Sequence, residues 1–176
     1  MKILDLGCGN NRYKSSNDDL VIGIDNVKVN GVDVVWNLNK FPYPFKNNEF
    51  DMIYTSHTLE HLDNLDLVFK ELIRITKNSG RIKIRVPHFS CGVSYRDPTH
   101  KRVFSYFTFN YFTDECFYTK SRFRIRNRKL NFTRQAFTFL NNFINPIINF
   151  SPLIYERFFC WILPCAEVIA ELEVKK

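Results

Sequence analysis

Apolar residues along the chain fall into short runs with abrupt polar ends. Ile3, Leu4 and Leu6 form a buried-strand pattern that stops at Gly7, and residues 21–24 form a second that stops at Asp25. Residues 32–36 and 50–54 read as two further strands, separated by a proline-containing stretch, 39–45, that excludes a helix interior. Leu62, Leu65, Phe69, Leu72, Ile73 and Thr76 then recur at helical spacing, and residues 77–80 (KNSG) supply a cation and a glycine where a helix should stop. Residues 81–86 alternate charged and apolar positions as a strand that closes at Pro87. This order predicts a mostly parallel sheet with helices on its faces, in which ligands lie beyond the carboxyl ends of the strands.

The second half is patterned differently. Arg122, Arg124, Arg126 and Arg128 alternate with Phe123 and Ile125, which predicts a strand with four arginines on one face. Residues 132–163 are aromatic and apolar, with Ile144, Ile147, Ile148, Tyr155, Phe158 and Ile162 at roughly helical spacing, and Pro146, Pro152 and Pro164 break them into short amphipathic helices. Residues 166–174 read as a last strand with Val168, Ala170, Leu172 and Val174 on one face, paired with the arginine-rich strand. Residues 1–176 are thus expected to form a single domain, with 132–163 a helical insertion between the last two strands.

Composition adds three constraints. The length of 176 residues suits one domain with a continuous core, and the 18 phenylalanines exceed ordinary usage. A net charge of +7 points weakly to anionic partners. Five cysteines without CxxC spacing, and no basic-then-apolar leader, predict reduced thiols in a cytoplasmic protein; no stretch reaches the ~20 apolar residues of a membrane span.

The chemistry concentrates at the strand ends. Gly7 and Gly9 allow a tight turn and close approach of the backbone to a ligand, and the helix expected next would offer free N–H groups at its start. Asp25, at the end of the following strand, is where an acceptor for two ribose hydroxyls belongs.

Asp5-Leu6-Gly7-Cys8-Gly9-Asn10, Asp25, Asn37-Leu38, Phe50-Asp51, Leu59-Glu60-His61 and the stretch from Glu71 to Gly80 together resemble the motif series of class I S-adenosylmethionine-dependent methyltransferases, of the methyltransferase-11 small-molecule type. The resemblance covers residues 1 to about 90. It implies an α/β, Rossmann-like fold: a mostly parallel seven-stranded sheet with an antiparallel last strand and helices on both faces; a first strand that begins at Lys2 is expected to leave no room for N-terminal lid helices. It implies S-adenosylmethionine as cofactor and S-adenosylhomocysteine as product. The backbone of Gly7, Cys8, Gly9 and Asn10 would lie near the methionine moiety, Asp5 would orient the turn or meet the ammonium group, and Asp25 would accept the ribose hydroxyls. Asn37 and Leu38 would flank the adenine, where the family often carries an acid. Ser56 and His57 follow the fourth strand, where groups face cofactor and substrate.

Two further constellations bear on the reaction. His57-Thr58-Leu59-Glu60-His61 formally fits the HxxEH zinc motif, but that chemistry needs the segment inside a helix, and here it begins at a strand end, so no metal is expected. His88, Asp97 and His100 fall in the loop after the fifth strand. A hydroxyl or amine acceptor loses a proton around methyl transfer, so a histidine oriented by Asp97 is a candidate general base. Residues 88–102 and 132–163 are the expected substitutes for the missing lid.

The stretch around Pro87-His88 and residues 97–102 resembles methyltransferases of glycan and polysaccharide assembly. The expected acceptor is therefore a small-molecule or carrier-linked hydroxyl, most plausibly of a sugar. The alternatives are an RNA methyltransferase, favoured by charge and the arginine row, and a non-catalytic cofactor-binding or partner protein. Residues 132–163 could also rest on a membrane surface or bury a dimer interface.

Overall fold

The computed structural model describes residues 1–113 and 123–176; Arg122 and Cys116 lie outside the described residues. Seven strands form one sheet in the order β3-β2-β1-β4-β5-β7-β6. They are β1 (Lys2–Leu6), β2 (Leu20–Asp25), β3 (Val34–Val35), β4 (Phe50–Ser56), β5 (Thr76–Pro87), β6 (Phe123–Asn131) and β7 (Glu167–Val174). The first five run parallel, and β7 pairs antiparallel with both β5 and β6. The strand order turns back on itself at β1 and β4, so the carboxyl ends of β1, β2 and β4 frame the crevice where ligands bind in such sheets.

Helix α1 (Leu65–Ile75) starts at Asn64, whose side chain accepts a hydrogen bond from the Leu67 N–H, and buries Leu65, Val68, Phe69, Leu72 and Ile75 along one stripe. Phe69 is its anchor: its ring lies 4.2 Å from that of Phe112 and meets Phe109 and Phe123 edge-on. Part of the phenylalanine excess is therefore core. No helix follows the glycine turn; residues 10–19 run as turns and bends. The sequence NNRYKSSNDD has no apolar stripe to bury, so the helix expected there has nothing to stabilise it. The third strand is likewise shorter than the pattern suggested. Among the described residues no helix is long and apolar enough to cross a membrane. Cys8, Cys91, Cys160 and Cys165 are free.

The arginine row does not survive intact. Ile125 pairs with Leu172, but Asn127 pairs with Glu171, so Arg126 is an extra residue in the strand. A bulge of one residue flips everything beyond it to the other face. Arg128 consequently stacks 4.0 Å above the Tyr106 ring and donates to Asn110 Oδ1 at 2.7 Å, while Arg126 stays opposite and pairs with Glu173. The expectation of one arginine face is corrected by this register shift.

Strand β6 is the last of the sheet, and an exposed edge invites pairing with another chain. Helix α3 closes it. (We label α2 the short turn Val93–Arg96, α3 Asn141–Phe150 and α4 Pro152–Ile154.) Asn141, Asn145 and Asn149 recur every fourth residue and face the edge. Asn149 accepts from the Leu130 N–H at 2.7 Å and donates to the Leu130 carbonyl at 2.8 Å. Asn145 accepts from Phe132 N–H, and Asn141 both accepts from and donates to the Thr133 backbone. Ile148 is buried beside them, whereas Phe143, Ile147 and Phe150 point outward, Phe150 being 91% exposed. The polar face of α3 packs inward and an apolar face is left outside.

Glu167, at the start of β7, is fully buried and ties the carboxyl ends of the strands together. It accepts from His57 Nε2 just past β4 at 2.9 Å and from Arg85 of β5 at 2.6 Å, with Arg134 Nε 3.4 Å away. Burial pushes its carboxyl up, but the hydrogen bonds and charges of His57 and Arg85 outweigh burial and hold it at about 2.

Two outcomes follow. Asn149→Leu should cost about 1–3 kcal/mol in urea unfolding, because it strands backbone groups of the edge, while Phe150→Ser should stay within about 0.5 kcal/mol. Since the Glu167 pKa is depressed from an ordinary 4.5, its stabilisation is complete above pH 4.5 and is lost as pH falls toward 2. Glu167→Gln should therefore be less stable than the parent at pH 6 and unfold less steeply between pH 4.5 and 2 when followed by circular dichroism.

Candidate functional site

The turn after β1 is held by the Gly7 and Cys8 N–H groups, which both donate to the Ile24 carbonyl, at 2.9 and 3.3 Å. Gly7 (φ +73°) and Gly9 (φ +49°) adopt left-handed conformations, but for different reasons. A Cβ on Gly7 would lie 2.1 Å from Thr58 Oγ1, which itself donates to the Leu6 carbonyl; a Cβ on Gly9 would meet open space. Gly7 is required by packing and dihedral, Gly9 by dihedral alone. The Gly9 N–H donates to Asp25 Oδ2 at 2.9 Å, so the carboxylate expected to meet a ribose is also what fixes the turn, and Val27 N–H steadies its other oxygen.

Across the crevice, Leu38 is buried and Asn37 closes a small turn by accepting from the Asn39 N–H at 2.9 Å. This corner is positioned from a distance. The Tyr43 hydroxyl donates to the Leu38 carbonyl at 2.9 Å, Glu71 of α1 accepts from the Tyr43 N–H, and Arg74 donates to the Tyr43 and Phe45 carbonyls. The paired Glu71 and Arg74 thus clamp the proline loop against the helix.

Gly7, Asp25, Asn37, Leu38 and His57 line one cavity of about 380 Å³, with Asn26, Asn39, Thr58, His61, Leu62 and Thr99 completing its wall. That volume falls in the roughly 300–1,000 Å³ range of small-molecule sites. The other residues expected at the cofactor lie outside this lining. Asp5 is buried beneath the turn, accepts from the Tyr13 N–H at 2.6 Å and has its carboxyl lifted to about 6 by burial. Cys8 is buried against the Gly31 carbonyl, its thiol pushed up to about 11 by burial. Asn10 is exposed, and Ser56 ends β4 without reaching the lining.

The histidines separate clearly. His88 is fully buried and both ring nitrogens are engaged, Nδ1 with Ser90 Oγ at 2.7 Å and Nε2 with Glu156 at 3.1 Å. It fastens the end of β5 to residue 156 rather than facing the cavity. Asp97 is exposed and accepts from the Thr99 N–H and hydroxyl, with its other oxygen 3.7 Å from His100 Nε2. His100 does approach the site: its ring lies 4.8 Å from that of His61, which lines the cavity. His57 adopts a left-handed conformation (φ +54°) between two buried carboxylates, Glu167 and Glu60. Burial lowers its pKa, but the hydrogen bonds to these acids outweigh burial and raise it. None of residues 132–163 lines the cavity, so the aromatic segment is not its wall.

Glu60, His61 and Thr99 were not singled out by sequence as site residues. Glu60 and His61 were visible in the HxxEH pattern, but only the chain path of residues 97–101 reveals that His61 has His100 for a neighbour rather than His57. Glu167 gives no sequence signal, since its main partner is 110 positions away.

The cavity lies at the ends of β1, β2 and β4, beside a turn that admits no Cβ at Gly7, with Asp25 and Leu38 in its lining. Residues 4–84 match the family described as "Methyltransferase domain". No curated protein matches the chain. Among solved structures, it is similar to a SAM-dependent methyltransferase from Archaeoglobus fulgidus (20% identity, TM-score 0.64, covering 98% of this chain and 85% of that one). It is also similar to a putative methyltransferase from Bacillus halodurans (14%, 0.64, 99% and 93%) and to the [4+2]-cyclase SpnF (16%, 0.62, 99% and 74%). The matched segment, which is just under half of the chain, the sheet order and the cavity agree on the fold of the class I S-adenosylmethionine-dependent methyltransferases, with S-adenosylmethionine as the cofactor.

Proposed function

We propose that the enzyme methylates an oxygen of a small-molecule or carrier-linked acceptor, a sugar hydroxyl being the favoured class. The observation that carries this reading is the presence of His57, His61 and Thr99 in the cavity lining, with the His100 ring 4.8 Å from that of His61. When bound, the cofactor supplies an electrophilic methyl group on a sulfonium. The chain supplies orientation and proton management. Asp25 would hold the ribose, Leu38 and Asn37 the adenine, and the backbone at Gly7 the methionine side. The imidazoles of His61 and His100 would stand on the side where the acceptor hydroxyl loses its proton. His88 is left out, because a buried ring with both nitrogens engaged cannot take a proton from an acceptor.

The exposed apolar side chains that run from Phe143 and Ile147 through Phe150, Leu153 and Phe158 to Trp161 support a carrier-linked acceptor met at a lipid surface. The RNA reading is weakened by the broken arginine row, since Arg128 is turned into an aromatic contact and Arg126 is paired with Glu173.

Calorimetry with S-adenosylhomocysteine should show one site, weakened about tenfold or more by Asp25→Ala, which removes a charge-assisted bond worth roughly 1.5–3 kcal/mol. Labelled methyl transfer into fractionated small molecules, lipid-linked glycans and RNA should put label in the first or second fraction; label in RNA alone would overturn the acceptor assignment. The full chain should sediment with phosphatidylcholine–phosphatidylglycerol vesicles, and Phe150→Ser with Trp161→Ser should reduce that binding without changing cofactor affinity.

A further inference from the structure

We propose that Glu60, His61 and His100 hold a divalent transition-metal ion on the acceptor side of the cofactor cavity. One ligand atom from each lies within 4.8 Å of the others, with His100 Nε2 4.0 Å from Glu60 Oε1. Ligand atoms about 2.0–2.2 Å from a tetrahedral ion are roughly 3.4 Å apart, so shifts of about an ångström bring all three onto one ion.

Three independent features favour this. First, Glu60 is fully buried, yet among the described residues its Oε1 has only His57 Nδ1 at 3.3 Å and His100 Nε2 at 4.0 Å near it, and its Oε2 accepts no hydrogen bond. A buried carboxylate left in this state is costly, and a cation satisfies it. Second, both histidines are oriented through Nδ1, which leaves Nε2 without a hydrogen bond among the described residues. The Thr99 hydroxyl donates to Asp97 Oδ1 at 2.7 Å, so it accepts from His61 Nδ1 at 2.9 Å, which places the His61 proton on Nδ1. His100 Nδ1 faces the Ser94 carbonyl at 3.2 Å, which can only accept, so its proton is also on Nδ1. In both rings Nδ1 is the engaged nitrogen and Nε2 is the atom left to serve as a ligand, and metal-ligating histidines are fixed in the same way by a bond from the other nitrogen. Third, the segments are fastened together without an ion. The Lys101 N–H donates to the Glu60 carbonyl at 2.8 Å, Arg102 donates to the Asp63 carbonyl at 2.8 Å, and Lys101 pairs with Asp63.

This is not the helical zinc motif that the sequence imitates. His57 leaves β4 in a left-handed conformation toward Glu167, and the second imidazole comes from the loop at residue 100. Two imidazoles and one carboxylate suit zinc, iron, cobalt or manganese rather than magnesium, which prefers oxygen ligands. The open coordination position faces the cavity, since His61 and Thr99 line it. Resting on the oxygen-acceptor reading, the ion's role is to bind the acceptor hydroxyl and lower its pKa, so that its proton passes to solvent. The oxygen then forms its bond to the methyl carbon as the sulfur–carbon bond breaks and the sulfonium becomes a neutral sulfide.

The test uses the full chain stripped with EDTA and titrated with Zn²⁺ by calorimetry and with Co²⁺ by visible absorption. One equivalent should bind, with cobalt d–d bands and no intense thiolate charge-transfer band. His61→Ala, His100→Ala and the isosteric Glu60→Gln should each weaken binding by about 100-fold or more, with folding checked by circular dichroism. No binding at millimolar metal, binding unchanged by all three substitutions, or a thiolate band from the free cysteines would each overturn the site. S-adenosylhomocysteine affinity is measured on the same samples. Its retention without metal binding sinks the metal site and leaves the cofactor reading intact, whereas metal binding with intact cofactor affinity supports both.

Discussion

The structure depends on a carboxylate that has to be charged where charge is expensive. Glu167 lies out of water at the start of the last strand, and His57, Arg85 and Arg134 from separate stretches of chain converge on it. Only their combined hydrogen bonds and charge make its ionised form stable there. The pairing does more than hold β7 against β5. His57 follows β4 in a conformation that a non-glycine residue does not choose freely, and its hydrogen bond to Glu167 is what fixes it. His57 in turn sets the path of residues 58–61, so Thr58 beneath Gly7 and His61 in the cavity wall inherit their positions from a residue at the far end of the chain.

How much of this was legible in the sequence follows from how local each signal is. Strands β1, β2 and β4 and helix α1 are written in periodicities of a few residues, and the turn at Gly7 with the acid at Asp25 is written in their ends. Those features emerged in place. Contacts between distant segments left no such trace. His88 and His100 look alike in a polar loop, yet one ring is consumed by Ser90 and Glu156 while the other rests against His61. The arginine row reads as perfect alternation until one extra residue in β6 inverts it, and a bulge has no signature in a run of arginines. The glycine turn was expected to open a helix, and the polar residues that follow have no face with which to build one. Asn141, Asn145 and Asn149 were present at helical spacing, but their meaning depends on knowing that β6 is an edge.

The same division separates what the fold dictates from what it leaves open. One side of the cavity is made by the sheet itself, by a turn, a strand end and a clamp from α1. The other side is made by loops, from residues 57–62 and Thr99, with His100 beside His61. Structures similar to this one include a [4+2]-cyclase as well as methyltransferases, which accords with a scaffold whose chemistry is decided on its loops.

Helix α3 carries a consequence of a different kind. Its folding information is concentrated in three asparagines and in Ile144 and Ile148 beside them, all turned toward the sheet. The side chains on its outer face contribute little to keeping the chain folded, so Phe143, Ile147 and Phe150 are free to vary under selection for whatever they touch. An edge that had been closed by another strand would have coupled surface and fold in one hydrogen-bond ladder. Here the two are separable, and the protein can acquire or lose a preference for a surface without renegotiating its architecture.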